Sequence, residues 1–114
     1  MTTVAEALEL GIQCFHAGRF DDAIGVFQSI LQSVPDNDDA LHLMGVTYLQ
    51  KGDTAQAIAL LERAVEVNPH APTTINHLGL AYRTAGKLQE AVVNFHRALS
   101  LQPNLAEAHL NLGN

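Results

Sequence analysis

The chain has no tryptophan and one cysteine, and only 5% of its 114 residues are aromatic. A lone cysteine, Cys14, excludes an internal disulfide, so the fold is not a small cross-linked scaffold and a reducing compartment suits it. With so few rings, the 47% apolar content rests mainly on alanine, leucine and the β-branched residues, a composition suited to close helix–helix contact. Positive charge is scarce as well. Six basic residues (Arg19, Lys51, Arg63, Arg83, Lys87, Arg97) stand against twelve acidic ones, for a net charge of −6. They form no stripe, so a phosphate backbone would be repelled, and no nucleic-acid partner is expected. Long apolar runs are absent too: no stretch approaches the ~20 consecutive apolar residues of a membrane span. The start, Met-Thr-Thr-Val-Ala-Glu, lacks the basic segment and apolar run of a secretory leader. These absences predict a single domain, soluble and cytoplasmic, with no membrane partner.

What is present is a period. Gly11, Gly45, Gly79 and Gly113 stand 34 residues apart, and other positions keep step with them. Leu10, Met44, Leu78 and Leu112 precede the glycines; Cys14, Tyr48 and Tyr82 follow three residues after the first three. A second glycine series, Gly18, Gly52 and Gly86, leads to Ala23, Ala57 and Ala91, then to Phe27, Leu61 and Phe95, and each unit closes near Pro35, Pro69 or Pro103. A fixed period of this length marks stacked supersecondary units, here 4–37, 38–71, 72–105 and a fragment, 106–114.

Within each unit apolar residues recur at helical intervals, as in Leu41, Met44, Tyr48 and again in Ile58, Leu61, Val65. Two amphipathic helices per unit follow. The second glycine falls where a left-handed helix end favours Gly, and the proline stops the second helix. The first glycine falls inside a helix, at a cost of about 1 kcal/mol relative to alanine. Close approach of a neighbouring helix backbone is the expected compensation. Thr3 with Glu6 has capping-box spacing, and Asn104 with Glu107 has N-cap spacing. The predicted helices are 3–17, 21–34, 38–51, 55–68, 72–85, 89–102 and 105–113.

These residues resemble the signature of the tetratricopeptide repeat (TPR): a large residue, Leu-Gly, Tyr, then Ala, Phe or Tyr, Ala and Pro. The second unit shows Leu41, Met44-Gly45, Tyr48, Ala57, Leu61, Ala64 and Pro69; the third shows Ile75, Leu78-Gly79, Tyr82, Ala91, Phe95, Ala98 and Pro103. The first unit departs from it at Ala7, Cys14 and Ile30. The resemblance implies an all-α fold, an α-solenoid (right-handed superhelix) of antiparallel helix pairs, three TPR repeats plus the first helix of a fourth. Because the fragment 106–114 resembles a repeat that stops in mid-helix, the chain is expected to be the N-terminal TPR segment of a larger, bacterial protein.

By the same resemblance, the first helices line a concave groove through their second, fifth, sixth, ninth, twelfth and thirteenth positions. In the first unit these are Ala5, Leu8, Glu9, Ile12, Phe15 and His16. The second unit supplies Asp39, His42, Leu43, Val46, Leu49 and Gln50, and the third Thr73, Asn76, His77, Leu80, Arg83 and Thr84. The fragment adds Glu107, Leu110, Asn111 and Asn114. The relatives that grip C-terminal carboxylates need Lys, Asn and Arg at positions held here by Leu8, Ile12, Leu43, Thr73 and His77, so that clamp is missing. What remains is an apolar strip, Leu8–Ile12–Phe15–Val46–Leu49–Leu80, suited to an apolar peptide or an amphipathic helix; the same residues also suit packing between adjacent helices. An asparagine ladder of the kind found in sugar-transfer relatives is matched at its position only by Asn111, while Glu9, Leu43 and His77 depart from it.

Catalysis and metal binding find little support. His42 and His77 could share a face with Asp39, but no close paired spacing such as His-x-x-x-His accompanies them. Asp36-Asn37-Asp38-Asp39 lacks the glycine and distal glutamate of a calcium loop and sits where a helix start favours acidic residues. Cys14 is expected to be buried and inert, and His109 to be a packing residue. No phosphate loop or nucleophile elbow is present, so no cofactor is expected. The expected function is a protein–protein interaction scaffold binding a peptide or helix in the concave groove. The alternatives are a substrate-docking arm of a larger enzyme, with a glycosyltransferase-, methyltransferase- or sulfotransferase-like domain downstream, or a self-association module forming a homo-oligomer through the uncovered last helix.

Overall fold

The computed structural model describes residues 2–113, which form seven helices and, among those residues, no strand: α1 (Val4–His16), α2 (Phe20–Ser33), α3 (Asp38–Lys51), α4 (Thr54–Val67), α5 (Pro72–Thr84), α6 (Leu88–Leu101) and α7 (Ala106–Leu112). They stack into an elongated body of 44 × 25 × 21 Å. The expected all-α solenoid of helix pairs is what the chain builds. No described helix is long and apolar enough to cross a membrane.

Local chemistry accounts for the boundaries. Thr3 caps α1 in a full capping box: its hydroxyl accepts from the Glu6 amide at 3.1 Å, and the Glu6 carboxylate accepts from the Thr3 amide at 3.1 Å. Those bonds favour the ionised carboxylate and hold the Glu6 pKa below its usual value. Asn37 starts α3 by accepting from the Ala40 amide at 2.9 Å, with Asp38 and Asp39 in the first turn, so the acidic run is a helix start. Gly18, Gly52 and Gly86 have φ of 76°, 93° and 81°, the left-handed turn expected between paired helices. One residue, Arg19, Asp53 or Lys87, then intervenes before the next helix, so each second helix starts one residue earlier than predicted.

Two expectations about helix ends and glycines need correction. Asn104 does not cap α7; the N-cap is Leu105, which makes no side-chain bond, because Asn104 lies one residue too early. The in-helix glycines accommodate chiefly a side chain, with backbone second. A Cβ on Gly79 would fall 2.7 Å from Phe95 Cε1 and 3.2 Å from the Ala91 carbonyl oxygen. A Cβ on Gly45 would fall 2.7 Å from Leu61 Cγ, and Gly11 is filled likewise by the Phe27 ring. Each first helix thus carries a socket for the large residue of its partner helix, and Phe27, Leu61 and Phe95 are all but fully buried in consequence. Gly113 differs, with φ of 81° at the end of α7.

The core runs the length of the stack in two adjoining clusters, one around Phe27, Leu41 and Met44, the other around Leu61, Ile75 and Leu78. Polar ties repeat with the period. Arg63 donates to the Pro35 carbonyl and Arg97 to the Pro69 carbonyl, each at 3.2 Å, so the second helix of one pair is tied to the loop ending the pair before. Lys51 to Asp21 at 2.6 Å adds a further link between successive pairs, and Asn68 to Asp38 at 3.0 Å ties the end of α4 to the start of α3 within one pair.

Candidate functional site

Every helix packs on its neighbours in sequence, but the alternate contacts are one-sided. α1 touches α3, α3 touches α5 and α5 touches α7, whereas α2, α4 and α6 do not touch one another. First helices that meet, with second helices splayed apart, bend the stack toward the first-helix side. That side is therefore the inner face, and it is formed by the helices that carry the sequence-predicted groove residues.

Leu8, Phe15, Val46, Leu49 and Leu80 are half-buried and Ile12 is exposed. Leu8 and Phe15 rest against the first core cluster, Val46 and Leu49 against the second, so most of the strip serves packing as well as surface. Phe15 also meets the Phe20 ring, centroids 5.6 Å apart. Asp39 stands exposed at the start of α3. Asn114 lies outside the described residues.

The histidines are joined. His42 Nε2 and His77 Nδ1 are 2.8 Å apart and share one hydrogen bond between α3 and α5, with ring centroids 4.9 Å apart. Burial pushes the His42 pKa down to about 4, helped by the neighbouring His77 and opposed by Asp38. Burial also lowers that of His77, against the pull of Glu107. Both rings are thus held neutral near pH 7, one as donor and one as acceptor. Among the described residues no group of three or more His, Cys, Asp or Glu side chains could hold a metal ion.

Asn76 is 1% exposed and so lies beneath the face, which unit position alone did not reveal. Asn111 Nδ2 donates to Asn76 Oδ1 at 3.1 Å, and Asn76 Nδ2 donates to Glu107 Oε2 at 3.5 Å. Arg83 donates to the Asn111 carbonyl at 2.9 Å, and its guanidinium lies 5.9 Å from the Phe95 ring centroid. Asn76, His77, Leu80, Glu107, Leu110 and Asn111 together line a pocket of about 280 Å³ between α5 and α7.

A larger groove, about 710 Å³, escaped the sequence reading. It lies between α1 and α2 of the first pair, where Leu10, Ala7, Cys14, Gly25 and Ser29 are among its lining residues. Leu10 is 50% exposed, whereas Met44 and Leu78, its equivalents by period, are 6% and 5% exposed. The signal was available in the departures of the first unit. Ala7, Cys14 and Ser29 stand where the next units hold Leu41 and Ile75, Tyr48 and Tyr82, and Arg63 and Arg97.

Stacked helix pairs with a continuous inner face define a helical-repeat interaction module. The tetratricopeptide repeat family model matches residues 15–73, and a second TPR repeat model matches residues 79–114. The chain belongs to the tetratricopeptide repeat family. Among solved structures it is similar to the first TPR of Spaghetti (RPAP3) bound to the HSP90 peptide SRMEEVD, with 27% identity and a TM-score of 0.91 over 98% of this chain and 91% of that one. It is similar to the first TPR domain of human RPAP3, with 27% identity and a TM-score of 0.91 over 94% of this chain and 84% of that one. A Thermobaculum terrenum O-GlcNAc transferase mutant is matched at 29% identity and a TM-score of 0.88, over 98% of this chain but 22% of that one. No curated protein sequence matches the chain significantly. TPR segments are generally non-catalytic, and the relatives support a protein-interaction module.

Proposed function

We propose that the chain captures a peptide or an amphipathic helix on its inner face, chiefly through Leu8, Ile12, Phe15, Val46, Leu49 and Leu80. The observation that supports this reading is the one-sided contact of α1, α3, α5 and α7, which sets the helices carrying these side chains next to one another. Half-buried apolar groups on such a surface still have area to lose to a ligand, at about 25 cal/mol per Å². The Spaghetti (RPAP3) relative is bound to the HSP90 peptide SRMEEVD, in which three acidic residues outnumber one arginine. An acidic peptide does not suit this face. The positions that would hold a carboxylate carry Leu8, Ile12, Leu43, Thr73 and His77, and Arg83 is engaged by the Asn111 carbonyl.

Leu49→Glu combined with Leu80→Glu tests the reading. Each change puts a charge on the apolar strip at a half-buried rather than a fully buried position, so far-UV helicity should persist. The partner retained from source-cell extract by the wild-type chain, once identified and purified, should lose at least tenfold in affinity for the double variant. Unchanged affinity would overturn the apolar-groove reading.

A second reading is favoured by the transferase relative, of which this chain matches 22%. In it the same face docks substrate proteins for an enzyme whose catalytic domain lies elsewhere in a longer chain. The complete gene tests this: an open reading frame ending shortly after Asn114 would remove it.

A further inference from the structure

We propose that the pocket between α5 and α7 receives a lysine or arginine side chain of the segment bound on the inner face; this rests on the groove reading above and names part of its ligand. Hydrogen-bonding capacity is the first reason. Asn111 spends an amide proton on Asn76, and Asn76 spends one on Glu107. Glu107 is exposed, and among the described residues its Oε1 and Asn111 Oδ1 accept no hydrogen bond, so both acceptors are open to a ligand that brings donors, although each amide also keeps one N–H unspent.

Charge is the second. Glu107 is the only formally charged group among the six that line the pocket. Arg83, also on α5, donates to the Asn111 backbone carbonyl and lies near the Phe95 ring. The Glu107 carboxylate also lies close enough to His77 to oppose the lowering of that ring's pKa by burial. Glu9 and Asp39, exposed on the same series of first helices, add two more negative charges, and the chain as a whole carries −6.

Shape is the third. A pocket of about 280 Å³ has room for one long side chain, being the volume of about nine waters at ~30 Å³ each. Leu80 and Leu110 form its apolar walls, and Leu110 is 73% exposed. A lysine or arginine stem covers such walls while its head reaches the carboxylate, which a short polar or an acidic side chain cannot do. Arginine's fork could engage Glu107 and Asn111 Oδ1 together.

The test uses synthetic peptides and needs no natural partner. Acetyl-Ala-Leu-Arg-Leu-Ala-amide, and the same peptide with norleucine or glutamate in place of arginine, are titrated into the ¹⁵N-labelled chain and followed by NMR. The arginine peptide should give saturable shifts at the Asn76 and Asn111 side-chain amides and bind at least threefold tighter than the norleucine peptide at low salt. The glutamate peptide should bind weakest. Glu107→Gln should reduce the arginine preference to less than twofold, as should 0.5 M salt. Equal affinities for arginine and norleucine, a preference untouched by Glu107→Gln, or no saturable shift at Asn76 and Asn111 with 10 mM arginine peptide would each overturn the proposal. The groove reading fails separately: a natural partner indifferent to Leu49→Glu plus Leu80→Glu removes it while leaving an arginine preference of the wild-type chain intact.

Discussion

Gly79→Ala sets two effects of known size against each other. Inside a helix, alanine gains about 1 kcal/mol over glycine. The new Cβ would stand 2.7 Å from Phe95 Cε1 and 2.8 Å from Cδ1, where carbon atoms prefer roughly 3.5–4.0 Å. The ring must therefore retreat by about 1 Å. It has nowhere to go, since Phe95 is 1% exposed and belongs to the packed interior. The Ala91 carbonyl at 3.2 Å is backbone, so tilting the ring alone does not relieve the crowding; α6 itself has to shift. Overpacking of this kind costs about 1–3 kcal/mol. Taking about 2 kcal/mol against the gain of about 1, Gly79→Ala should lose about 1 kcal/mol, lowering Tm by about 4 °C. Gly25→Ala is the control, because Gly25 sits within α2 and a Cβ there meets nothing within 4 Å. It should gain about 0.5–1 kcal/mol, the propensity term alone. Urea unfolding followed by circular dichroism at 222 nm measures both, provided the m-values agree with wild type. A Gly79→Ala chain as stable as wild type would refute the socket; a destabilised Gly25→Ala chain would refute the propensity argument beside it.

The histidine pair predicts a pH dependence. His42 is held at about 4 when folded against an ordinary 6.5, so the unfolded chain takes up a proton that the folded chain refuses. Stability is then complete above about pH 6.5 and falls as pH drops toward 4, by about 1.4 kcal/mol per unit, or about 2 kcal/mol between pH 6.5 and 5. Urea midpoints should show that fall in wild type and a shallower one in His42→Gln; parallel pH profiles would dismiss the assignment. Asn37→Ala removes the cap of α3 and should cost about 1 kcal/mol, read as a shift of the denaturation midpoint at constant m-value, whereas Asn104→Ala, which removes no cap, should leave the midpoint within about 0.5 kcal/mol.

Much of the fold was legible because the code is local. Seven helices followed from apolar intervals, left-handed glycines and prolines, and errors at the ends of second helices were one residue. The site was legible only as a set of unit positions. Register placed Asn76 and Leu80 in one series, yet Asn76 is 1% exposed while Leu80 is half-buried at the surface. Which of them a ligand can reach depends on how far α7 leans over α5, and that is a packing distance with no local signature. The bond between His42 and His77 was foreseeable as a shared face, but its 2.8 Å contact depends on the tilt between α3 and α5. The groove along α1 and α2 went unread although its small residues were in view, because their departure from the pattern reads equally as irregular packing.

By itself the chain determined its period and its helices, since backbone preference and side-chain spacing act within a few residues. The spacing also marked three glycines inside helices as places of close approach. Only the tertiary structure decided what approaches them: Phe27, Leu61 and Phe95, each lodged against the preceding helix. It also decided that α1, α3, α5 and α7 meet while α2, α4 and α6 do not, which makes one side of the stack the inner face. The physical reason is that curvature is a sum of small differences in side-chain volume across every joint, and those differences take effect only when the helices are packed together.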